Sequence, residues 1–558
     1  MPRDPRRRLP SWIAFLLLLV FAVQGGIAAV RDSTTIDELA HLPLGLYFLR
    51  HREFSPDPIN PPLSRMLPAL ALIGSDVRLD APAVPDEWQL GLRFMRDNVD
   101  RYQELYARSR AVVILLSLLL GLIVYRWSLA LHGEIAALIA LAFFAFSPTL
   151  LAHGHLVTVD MAGALGFAAG LWQVWQYRQE RSTVRAMWLG AFVGLALLLK
   201  FSCLPLVVVA AIALLLPAGS WPRSVGRTLI AAATAILVID LGYGFQDLLQ
   251  PLSNMPLIEG GGLAKLAADH PALAFPLPTA FIRGFDLLAS AAVKGDRSYY
   301  LAGEISNQGW WYYHFVAYAL KTPLPFLIAA LFAMVRYAGR RSAPGEGVLW
   351  IGVAAVFLFG GVLNPLKLGV RHVMPAEPLL CILAAGALAK YVERALGVGG
   401  SRSPGDLVGA TIVSLALAWH AASALAQAPR YISYFNELAG GPERGHEWLS
   451  DSNLDWGQDL IRLREFMDER GLETIELAYC GTVHPGAYGI RFLPLSDRAS
   501  SGVKVVSPLF YVGLPYQSWR SPDAWSTVRP NELHWLHSLS PSERVGALFV
   551  FTPERSGR

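Results

Sequence analysis

Residues 12–38 read WIAFLLLLVFAVQGGIAAVRDSTTIDE. The apolar run from Trp12 to Val30 is long enough to span a bilayer, which takes about 20 apolar residues in a helix. Four arginines precede the run between residues 3 and 8, and basic loops stay in the cytoplasm, so its far end is predicted to face outward. Two carboxylates, Asp37 and Glu38, therefore follow the span at the extracytoplasmic surface.

The composition predicts a membrane protein with many spans. Mean hydropathy is +0.39, hydrophobic residues make up 54% of the chain, and charged residues make up 16%, against roughly 25% in soluble domains. The net charge of +4 is modest and arises from short loops, which gives no basis for nucleic-acid binding. Cys203, Cys381 and Cys480 lie far apart, so neither a disulfide framework nor a cysteine metal site is predicted.

Apolar stretches of about 20 residues predict about eleven transmembrane helices. They lie near residues 11–30, 108–131, 134–150, 161–177, 186–200, 203–217, 227–245, 312–335, 347–363, 373–391 and 406–426. The basic loops at 177–185, 217–227, 336–341 and 390–404 alternate as cytoplasmic loops should, which leaves the chain after about residue 427 outside. The first span could instead be a secretory signal, but its apolar core exceeds the usual 7 to 15 residues, which favours a retained span.

This topology divides the chain into two domains. Residues 1–426 form the transmembrane bundle, with outer loops at 31–107 and 246–311, and residues 427–558 form an extracytoplasmic domain. The C-terminal domain is predicted to be a small α/β domain, because one stretch has helical periodicity and three are rich in strand-forming residues. The helix is expected at 460–470 and the strands at 474–478, 503–506 and 545–551.

The first outer loop is predicted to begin with a helix that lies along the membrane surface. Residues 35–38 fit a capping box, and leucines then recur every three or four residues from Leu39 to Leu49. Asp37 and His41 lie four residues apart and therefore share one face of this helix.

Ionisable residues gather at the predicted outer ends of the spans. They are Asp37 and Glu38 after the first span, His153, His155 and Asp160 between the third and fourth, Lys200 between the fifth and sixth, and Lys367, Arg371 and His372 between the ninth and tenth. Charges near a membrane are costly to bury unpaired, so a mixed cluster on one face predicts a reactive site. Asp37 and Glu38 could instead only stabilise a helix N-terminus. Asp160 could pair structurally with Lys200, and Arg371 could reach lipid headgroups.

These residue types suit glycosyl transfer from a lipid phosphate. A carboxylate can act as general base on a hydroxyl group, while Arg and Lys can hold a phosphate as it leaves. The hydroxyl oxygen would attack the sugar C1 in line with the departing phosphate, and the developing negative charge must meet fixed cations. Arg371 and Lys200 are the candidate cations.

A transporter or flippase of a lipid-linked saccharide is the competing hypothesis. It predicts charges near the bilayer midplane and an inverted repeat. The candidate residues lie instead at predicted helix ends, and no inverted repeat is evident in the sequence, which favours an enzyme.

Four short motifs resemble those of the GT-C glycosyltransferases. They are Asp37-Glu38 with His41 and Gly45, then Asn60-Pro61-Pro62-Leu63, then Leu156-Val157-Thr158-Val159-Asp160, and Arg371-His372-Val373-Met374-Pro375. More narrowly, residues 11–426 resemble bacterial members of the protein O-mannosyltransferase and aminoarabinose transferase superfamily, the phospholipid carrier-dependent or family 39-like glycosyltransferases. The C-terminal stretches 434–442 and 451–459 also resemble bacterial members, but the sequence assigns them no role.

The resemblance implies an α-helical polytopic membrane enzyme of GT-C type. It would transfer a hexose, such as a mannose-like sugar, from a polyprenyl-phosphate donor to a hydroxyl of a protein or glycolipid, with inversion at C1. The active site would be periplasmic, on the outer face of the inner membrane. The implied catalytic residues are Asp37 and Glu38, and the implied substrate-binding residues are His41, Asn60, His155, Asp160, Lys200, Arg371 and His372.

Within that set, the resemblance makes Asp37 the catalytic base, Asp160 the second acidic residue near the reaction centre, and Arg371 the contact to the lipid-linked phosphate. Aminoarabinose transferases typically place Lys before the Pro-Pro pair, whereas this chain has Asn60. That departure argues against aminoarabinose as the sugar.

Neither a metal nor a further cofactor is expected. The stretch 451–459 resembles a calcium loop, but an EF-hand needs Gly at its sixth position and Glu at its twelfth, where this chain has Trp456 and Arg462. The sequence also lacks a nucleotide-binding motif, which fits a lipid-linked donor. The expected partners are therefore membrane lipid, the lipid-linked sugar and the acceptor.

Overall fold

The computed structural model describes residues 11–79, 86–216, 220–291, 297–339, 345–398, 403–495, 502–521 and 524–552. The arginines between residues 3 and 8, together with Arg340, Arg341 and Arg402, lie outside these ranges, so the charge argument for topology stays a prediction. Twenty α-helices and nine strands make up the described chain.

In chain order the helices are α1 (Trp12–Arg31), α2 (Ile36–His51), α3 (Leu63–Ala69), α4 (Glu87–Asp97), α5 (Tyr102–His132), α6 (Glu134–Ala145), α7 (Pro148–His153), α8 (Asp160–Gln179), α9 (Thr183–Leu199), α10 (Pro205–Leu215), α11 (Trp221–Gly242), α12 (Gly262–Asp269), α13 (Thr279–Ala291), α14 (Tyr313–Lys321), α15 (Leu324–Ala338), α16 (Glu346–Ala355), α17 (Ala376–Ala395), α18 (Pro404–Gln427), α19 (Leu460–Arg470) and α20 (Pro508–Tyr511). The strands are β1 (Tyr299–Leu301), β2 (Glu304–Ser306), β3 (Ile475–Ala478), β4 (Phe492–Pro494), β5 (Lys504–Val506), β6 (Tyr516–Ser521), β7 (Ala524–Val528), β8 (Glu543–Val545) and β9 (Leu548–Phe551).

Apolar helices dominate the first 427 residues. Within the described ranges, five are long and apolar enough to cross a membrane: Trp12–Arg31, Val99–His132, Trp221–Gly242, Met374–Ala395 and Pro404–Gln427. Six shorter apolar segments accompany them: Leu63–Leu72, Glu134–Ala145, Thr183–Leu199, Phe201–Leu215, Leu324–Ala338 and Glu346–Val362. The chain is a multi-pass membrane protein, and the predicted helical bundle is confirmed.

Each predicted span coincides with helical structure, but two of them are interrupted at a proline. The span predicted at 134–150 divides into α6 and α7 before Pro148, and the span at 312–335 divides into α14 and α15 at Pro323. Proline disfavours helical geometry in the residue before it, so each break begins a new helix. Apolar composition alone did not reveal these breaks.

The predicted helix over the start of the first outer loop is confirmed as α2, and other parts of the protein cover most of it. Twelve of its sixteen residues are buried. A Cβ at Gly45 would lie 2.1 Å from the Arg65 carbonyl oxygen, and a Cβ at Gly91 would lie 2.3 Å from the Leu39 carbonyl oxygen. The neighbouring helices α3 and α4 therefore pack directly on the α2 backbone and cover it.

The predicted small α/β domain at the C-terminus is confirmed. A five-stranded sheet has the order β4-β3-β5-β9-β8, with β3 parallel to both of its neighbours and β9 antiparallel to both of its own. Strands β6 and β7 form a separate antiparallel pair. The second outer loop is also structured, since α12, α13 and the β1–β2 hairpin lie within it.

Candidate active site

Four of the predicted site residues form one ionic chain. Arg371 Nη1 lies 2.7 Å from Asp37 Oδ2 and 3.6 Å from Asp160 Oδ2. Lys200 Nζ lies 2.5 Å from Asp160 Oδ1. Residues more than 300 positions apart in the chain thus meet as two carboxylates and two cations.

Each member of this chain lies at the end of a helix. Asp37 is in the first turn of α2, Asp160 begins α8, and Lys200 directly follows α9. Arg371 lies in a single 3₁₀ turn, residues 370–372, before α17. Helix ends hold side chains in fixed positions while leaving room between them, which suits a site that must admit a ligand.

Asp37 is the more accessible of the two acids in the ionic chain. Its side chain is 25% exposed, whereas that of Asp160 is 2% exposed. Burial by itself would lower the pKa of Arg371, but Asp37 and Asp160 outweigh it and raise that pKa, so the guanidinium stays charged. Asp37 can therefore meet an incoming hydroxyl, while Asp160 is committed to Lys200 and Arg371.

Neutral histidines surround the ionic chain. Burial and the nearby Arg65 lower the pKa of His41 to about 4, and burial lowers the pKa of His153 to about 3. Burial, with Arg371 next in importance, also holds the pKa of His372 well below its usual value. All three imidazoles are therefore uncharged near pH 7, and can donate or accept hydrogen bonds from a polar ligand.

Several buried polar atoms near the ionic chain have no hydrogen-bond partner among the described residues. They are His41 Nδ1, His153 Nδ1, Thr158 Oγ1, Asp160 Oδ2, Arg371 Nε and His372 Nε2. Unsatisfied buried polar atoms are uncommon because each costs free energy, and a concentration of them is typical of a place where a polar ligand binds.

Glu38 does not belong to the ionic chain. Both of its oxygens bond the Arg110 guanidinium, at 2.9 and 2.6 Å, and they also accept from the Thr35 and Val157 backbone N–H groups. Burial would raise the pKa of Glu38, but Arg110 outweighs it and lowers that pKa. The side chain is 0% exposed, so the geometry gives Glu38 a structural role in place of the expected catalytic one.

His155 also belongs to a different cluster. Its Nε2 lies 3.0 Å from Asp32 Oδ2, and Arg462 of the C-terminal domain lies 2.7 Å from the other oxygen of Asp32. This cluster joins the end of α1 to α19, and the geometry offers His155 no direct contact with the ionic chain. The sequence did not single out Asp32 or Arg462.

Asn60 lies in the loop between α2 and α3 and is half-buried. Asp57, in the same loop, forms a buried ion pair with Arg65 of α3. Arg65 influences His41 electrostatically, so this pair borders the region around the ionic chain. Asn60 remains a candidate for ligand contact through its place in this loop.

Trp456 is a member of the site that the sequence did not predict. Its ring lies 4.3 Å from the Arg371 guanidinium carbon, and His153 packs edge-on against the same ring. Stacking on an aromatic face restricts how a guanidinium can turn. Trp456 is 2% exposed and comes from the C-terminal domain, so this domain completes the wall of the site.

The neighbouring Asp455 supplies a pH-dependent prediction. Burial raises its pKa to about 7, while an aspartate in an unfolded chain titrates near 3.8. The unfolded state therefore loses its proton first, and stability falls as the pH rises from about 4 to 7. Asp455→Asn should remove this loss and increase stability at pH 8 by on the order of 1–3 kcal/mol, with little change at pH 4.

Thermal unfolding in detergent at pH 4 and pH 8 tests this expectation. Asp100→Asn is the matched control, because Asp100 is exposed. At each pH, this variant should unfold at the same temperature as wild type. An Asp455→Asn protein that gains nothing at pH 8 would contradict the raised pKa.

Comparison with known proteins supports the predicted resemblance. Residues 107–241, 135 of the 558 residues, match the family described as dolichyl-phosphate-mannose-protein mannosyltransferase. The comparison with curated proteins found no match. The resemblance to the GT-C glycosyltransferases is confirmed by the family match, which covers α5 to α11 in large part.

Two solved structures are similar along most of the chain. ArnT from Cupriavidus metallidurans bound to undecaprenyl phosphate is 13% identical, with 97% of this chain and 98% of that chain covered and a TM-score of 0.49. The oligosaccharyltransferase AglB from Archaeoglobus fulgidus, in complex with an inhibitory peptide and a dolichol-phosphate, is 14% identical, with 94% and 74% covered and a TM-score of 0.44.

Proposed function

We propose that this chain is an inverting glycosyltransferase that moves a hexose, such as a mannose-like sugar, from a polyprenyl-phosphate donor to a hydroxyl group. The observation that carries the proposal is the contact of 2.7 Å between Asp37, the accessible carboxylate, and Arg371. A base and a phosphate-binding cation lie side by side there, as the reaction requires. The match to a mannosyltransferase family over residues 107–241 supports the same chemistry.

In the proposed reaction, C1 exchanges its bond to the phosphate oxygen for a bond to the acceptor oxygen, and one proton moves to Asp37. The acceptor hydroxyl oxygen attacks the sugar C1, Asp37 takes the hydroxyl proton, and the bond from C1 to the phosphate oxygen breaks as the phosphate leaves with the electron pair. Attack opposite the leaving group inverts C1. Arg371 and Lys200 meet the negative charge on the phosphate, and Asp160 holds both cations in place.

An apolar crevice supports a lipid-linked donor. It has a volume of about 810 Å³ and lies between α5, α8 and α9. Its lining includes Leu199, the residue before Lys200, and Gly166, two turns along α8 from Asp160. Part of an isoprenoid chain could pack in this crevice while its phosphate lies near Lys200, and apolar burial would favour that arrangement.

The proposed acceptor is a hydroxyl of a protein or glycolipid, and the proposed location of the site is the outer face of the inner membrane. The transporter alternative has less support from the geometry. Two charged groups inside helices, Arg110 and Lys321, are held by protein partners and so offer no free charge to a substrate passing through the bundle. The test below treats transport as one of its outcomes.

Transfer from a panel of radiolabelled donors tests the function. Membranes that contain the wild-type chain are incubated with polyprenyl-phosphate sugars, with the matching nucleotide sugars, and with and without a chelator. We expect label to appear in a protein or glycolipid fraction only with a polyprenyl-phosphate sugar, at a rate the chelator leaves unchanged. Intact donor moved across sealed vesicles without cleavage would contradict the proposal and favour the transporter.

Arg371→Lys tests the role of the guanidinium. Lysine keeps the charge but has neither the planar fork nor the stacking surface, so it should stabilise the leaving phosphate less well. We expect kcat to fall by about 10²-fold. Arg108→Lys is the control, because Arg108 is an exposed member of an ion pair with Glu104 and should keep wild-type kcat. Equal activity of the two variants would contradict the assignment of Arg371.

A further inference from the structure

One polar stretch of the C-terminal domain is fully buried. Residues 452–460, SNLDWGQDL, are all buried, although five of the nine side chains are polar. The polar ones are Ser452, Asn453, Asp455, Gln458 and Asp459. Burying polar groups costs free energy unless they are hydrogen-bonded, so the partners of this stretch, here called the clamp segment, account for its burial. Many of these partners lie in two short parts of the membrane bundle.

The first part is the chain just before Arg371. Ser452 Oγ donates to the Leu368 carbonyl at 2.6 Å, and the Val370 N–H donates to Asn453 Oδ1 at 2.9 Å. The clamp segment thus bonds the backbone on two sides of Gly369, where an added Cβ would lie 2.7 Å from Ser452 Oγ. The clamp segment therefore holds the turn that carries Arg371 in two ways. Ser452 and Asn453 bond the backbone beside the turn, and the Trp456 ring stacks on the Arg371 side chain.

The second part is the start of α2. The Ile36 N–H donates to the Trp456 carbonyl at 3.0 Å, and Ser33 Oγ donates to the Gly457 carbonyl at 2.8 Å. The first N–H groups of a helix have no partner inside the helix, so the Trp456 carbonyl, which accepts from the Ile36 N–H, caps α2. Ile36 is the residue before Asp37, and the cap therefore fixes the backbone next to the proposed base.

The clamp segment is itself anchored in the membrane bundle. Lys321, buried at the end of α14, donates to the Asn453 carbonyl at 2.5 Å and to the Ile432 carbonyl at 2.7 Å. Asn453 Nδ2 also lies 3.0 Å from the Tyr313 hydroxyl. Because these contacts to α14 prevent the clamp segment from moving independently of the bundle, the segment can fix both the turn before Arg371 and the start of α2.

Trp456 contacts both parts, with its carbonyl at the start of α2 and its ring on Arg371. We propose that the clamp segment, with Trp456 and Ser452 as its positioning residues, sets the distance between the Asp37 carboxylate and the Arg371 guanidinium. The consequence for catalysis rests on the proposed function. The C-terminal domain then acts as part of the reaction centre, in addition to any contact it makes with an acceptor.

Two substitutions with matched controls test the role of the clamp segment. Trp456→Leu removes the ring under Arg371, and Ser452→Ala removes one bond to the turn. Trp519→Leu and Ser518→Ala are the controls, because Trp519 is a buried tryptophan of the same domain and Ser518 Oγ makes one buried bond to the Tyr479 carbonyl. All kinetic constants are measured per folded protein after size-exclusion chromatography.

A positioning role predicts a particular kinetic pattern. We expect Trp456→Leu to lower kcat at least about tenfold with little change in donor KM, and Ser452→Ala to lower it several-fold. Trp456→Phe, which keeps an aromatic face, should recover most of the loss. In an Arg371→Lys background, Trp456→Leu should cost little more, because the two residues act as a unit. Both controls should keep wild-type kcat.

Hydrogen exchange provides a readout that needs no donor. Backbone amides at 35–39 and 369–374 should exchange faster in Trp456→Leu and Ser452→Ala than in wild type, and stay unchanged in the two controls. Unchanged exchange at both sites would overturn the clamp, as would wild-type kcat in both variants or losses that add fully to that of Arg371→Lys. If wild type transfers no sugar, the proposed function fails, and hydrogen exchange alone decides the clamp.

Discussion

Asp37→Asn is expected to lower kcat for sugar transfer by about 10³-fold, the scale on which a general base contributes. Asparagine has nearly the same shape but cannot take the proton of the acceptor hydroxyl. Arg371 keeps Asp160 as a second partner, 3.6 Å away, so the cation should remain in place. The donor KM should therefore change little, and the loss should be in kcat, as expected for a group that acts in the transition state.

The measurement is transfer of label from the polyprenyl-phosphate sugar that wild type uses, at matched amounts of folded protein. Asp100→Asn is the control, since Asp100 is an exposed acid that belongs to no described part of the site. A variant at Asp37 that transfers sugar at the wild-type rate would show that another group is the base. Asp451, which lies near Asp37 and Arg371 electrostatically, would then be tested next.

Arg110→Met is expected to cost the most stability of any substitution considered for this chain, about 3–5 kcal/mol. The Arg110 guanidinium makes two bonds to Glu38 and three to the backbone carbonyls of Ala29, Asp32 and Ser33. Both side chains are 0% exposed, so methionine would leave the Glu38 carboxylate buried without its counter-charge. The connection between α1 and α2 would lose its main fixed point.

Thermal unfolding in detergent, followed by loss of soluble protein, measures this effect. Arg108→Met lies two residues away on the same helix, and its exposed ion pair with Glu104 should contribute at most about 1 kcal/mol. The double variant Glu38→Gln with Arg110→Met should recover part of the stability, because a neutral amide is less costly to bury than a charge. Equal stability of the two methionine variants would contradict a structural role for the pair.

Part of this protein can be predicted from its sequence because hydrophobic burial is local in the chain. A bilayer needs apolar runs of about 20 residues, and such runs located the long apolar helices of the bundle. The cost of charge near a membrane likewise singled out Asp37, Asp160, Lys200 and Arg371, which the fold brings together. A family resemblance over short motifs then supplied the expected chemistry.

The sequence could not reveal the ion pair of Glu38, because the partner of Glu38 is remote in the chain. Arg110 is 72 residues away, and an acid next to Asp37 in the chain resembles a second catalytic group until that partner is seen. Arg110 does lie in an apolar run, where a charge needs a partner, so a signal was present although its partner could not be identified. The burial of α2 could not be predicted for the same reason, since it depends on α3 and α4, which pack on the helix only in the folded protein.

The sequence by itself located the long apolar helices and the ionisable residues at their ends. Only the tertiary structure decided which of these residues form pairs and which wall encloses them. Trp456 makes the difference clear, because it carries no local pattern and reaches Arg371 only when a separate domain docks on the bundle. Hydrophobic length is a property of a segment, whereas ion pairing and stacking depend on distances that the whole fold sets.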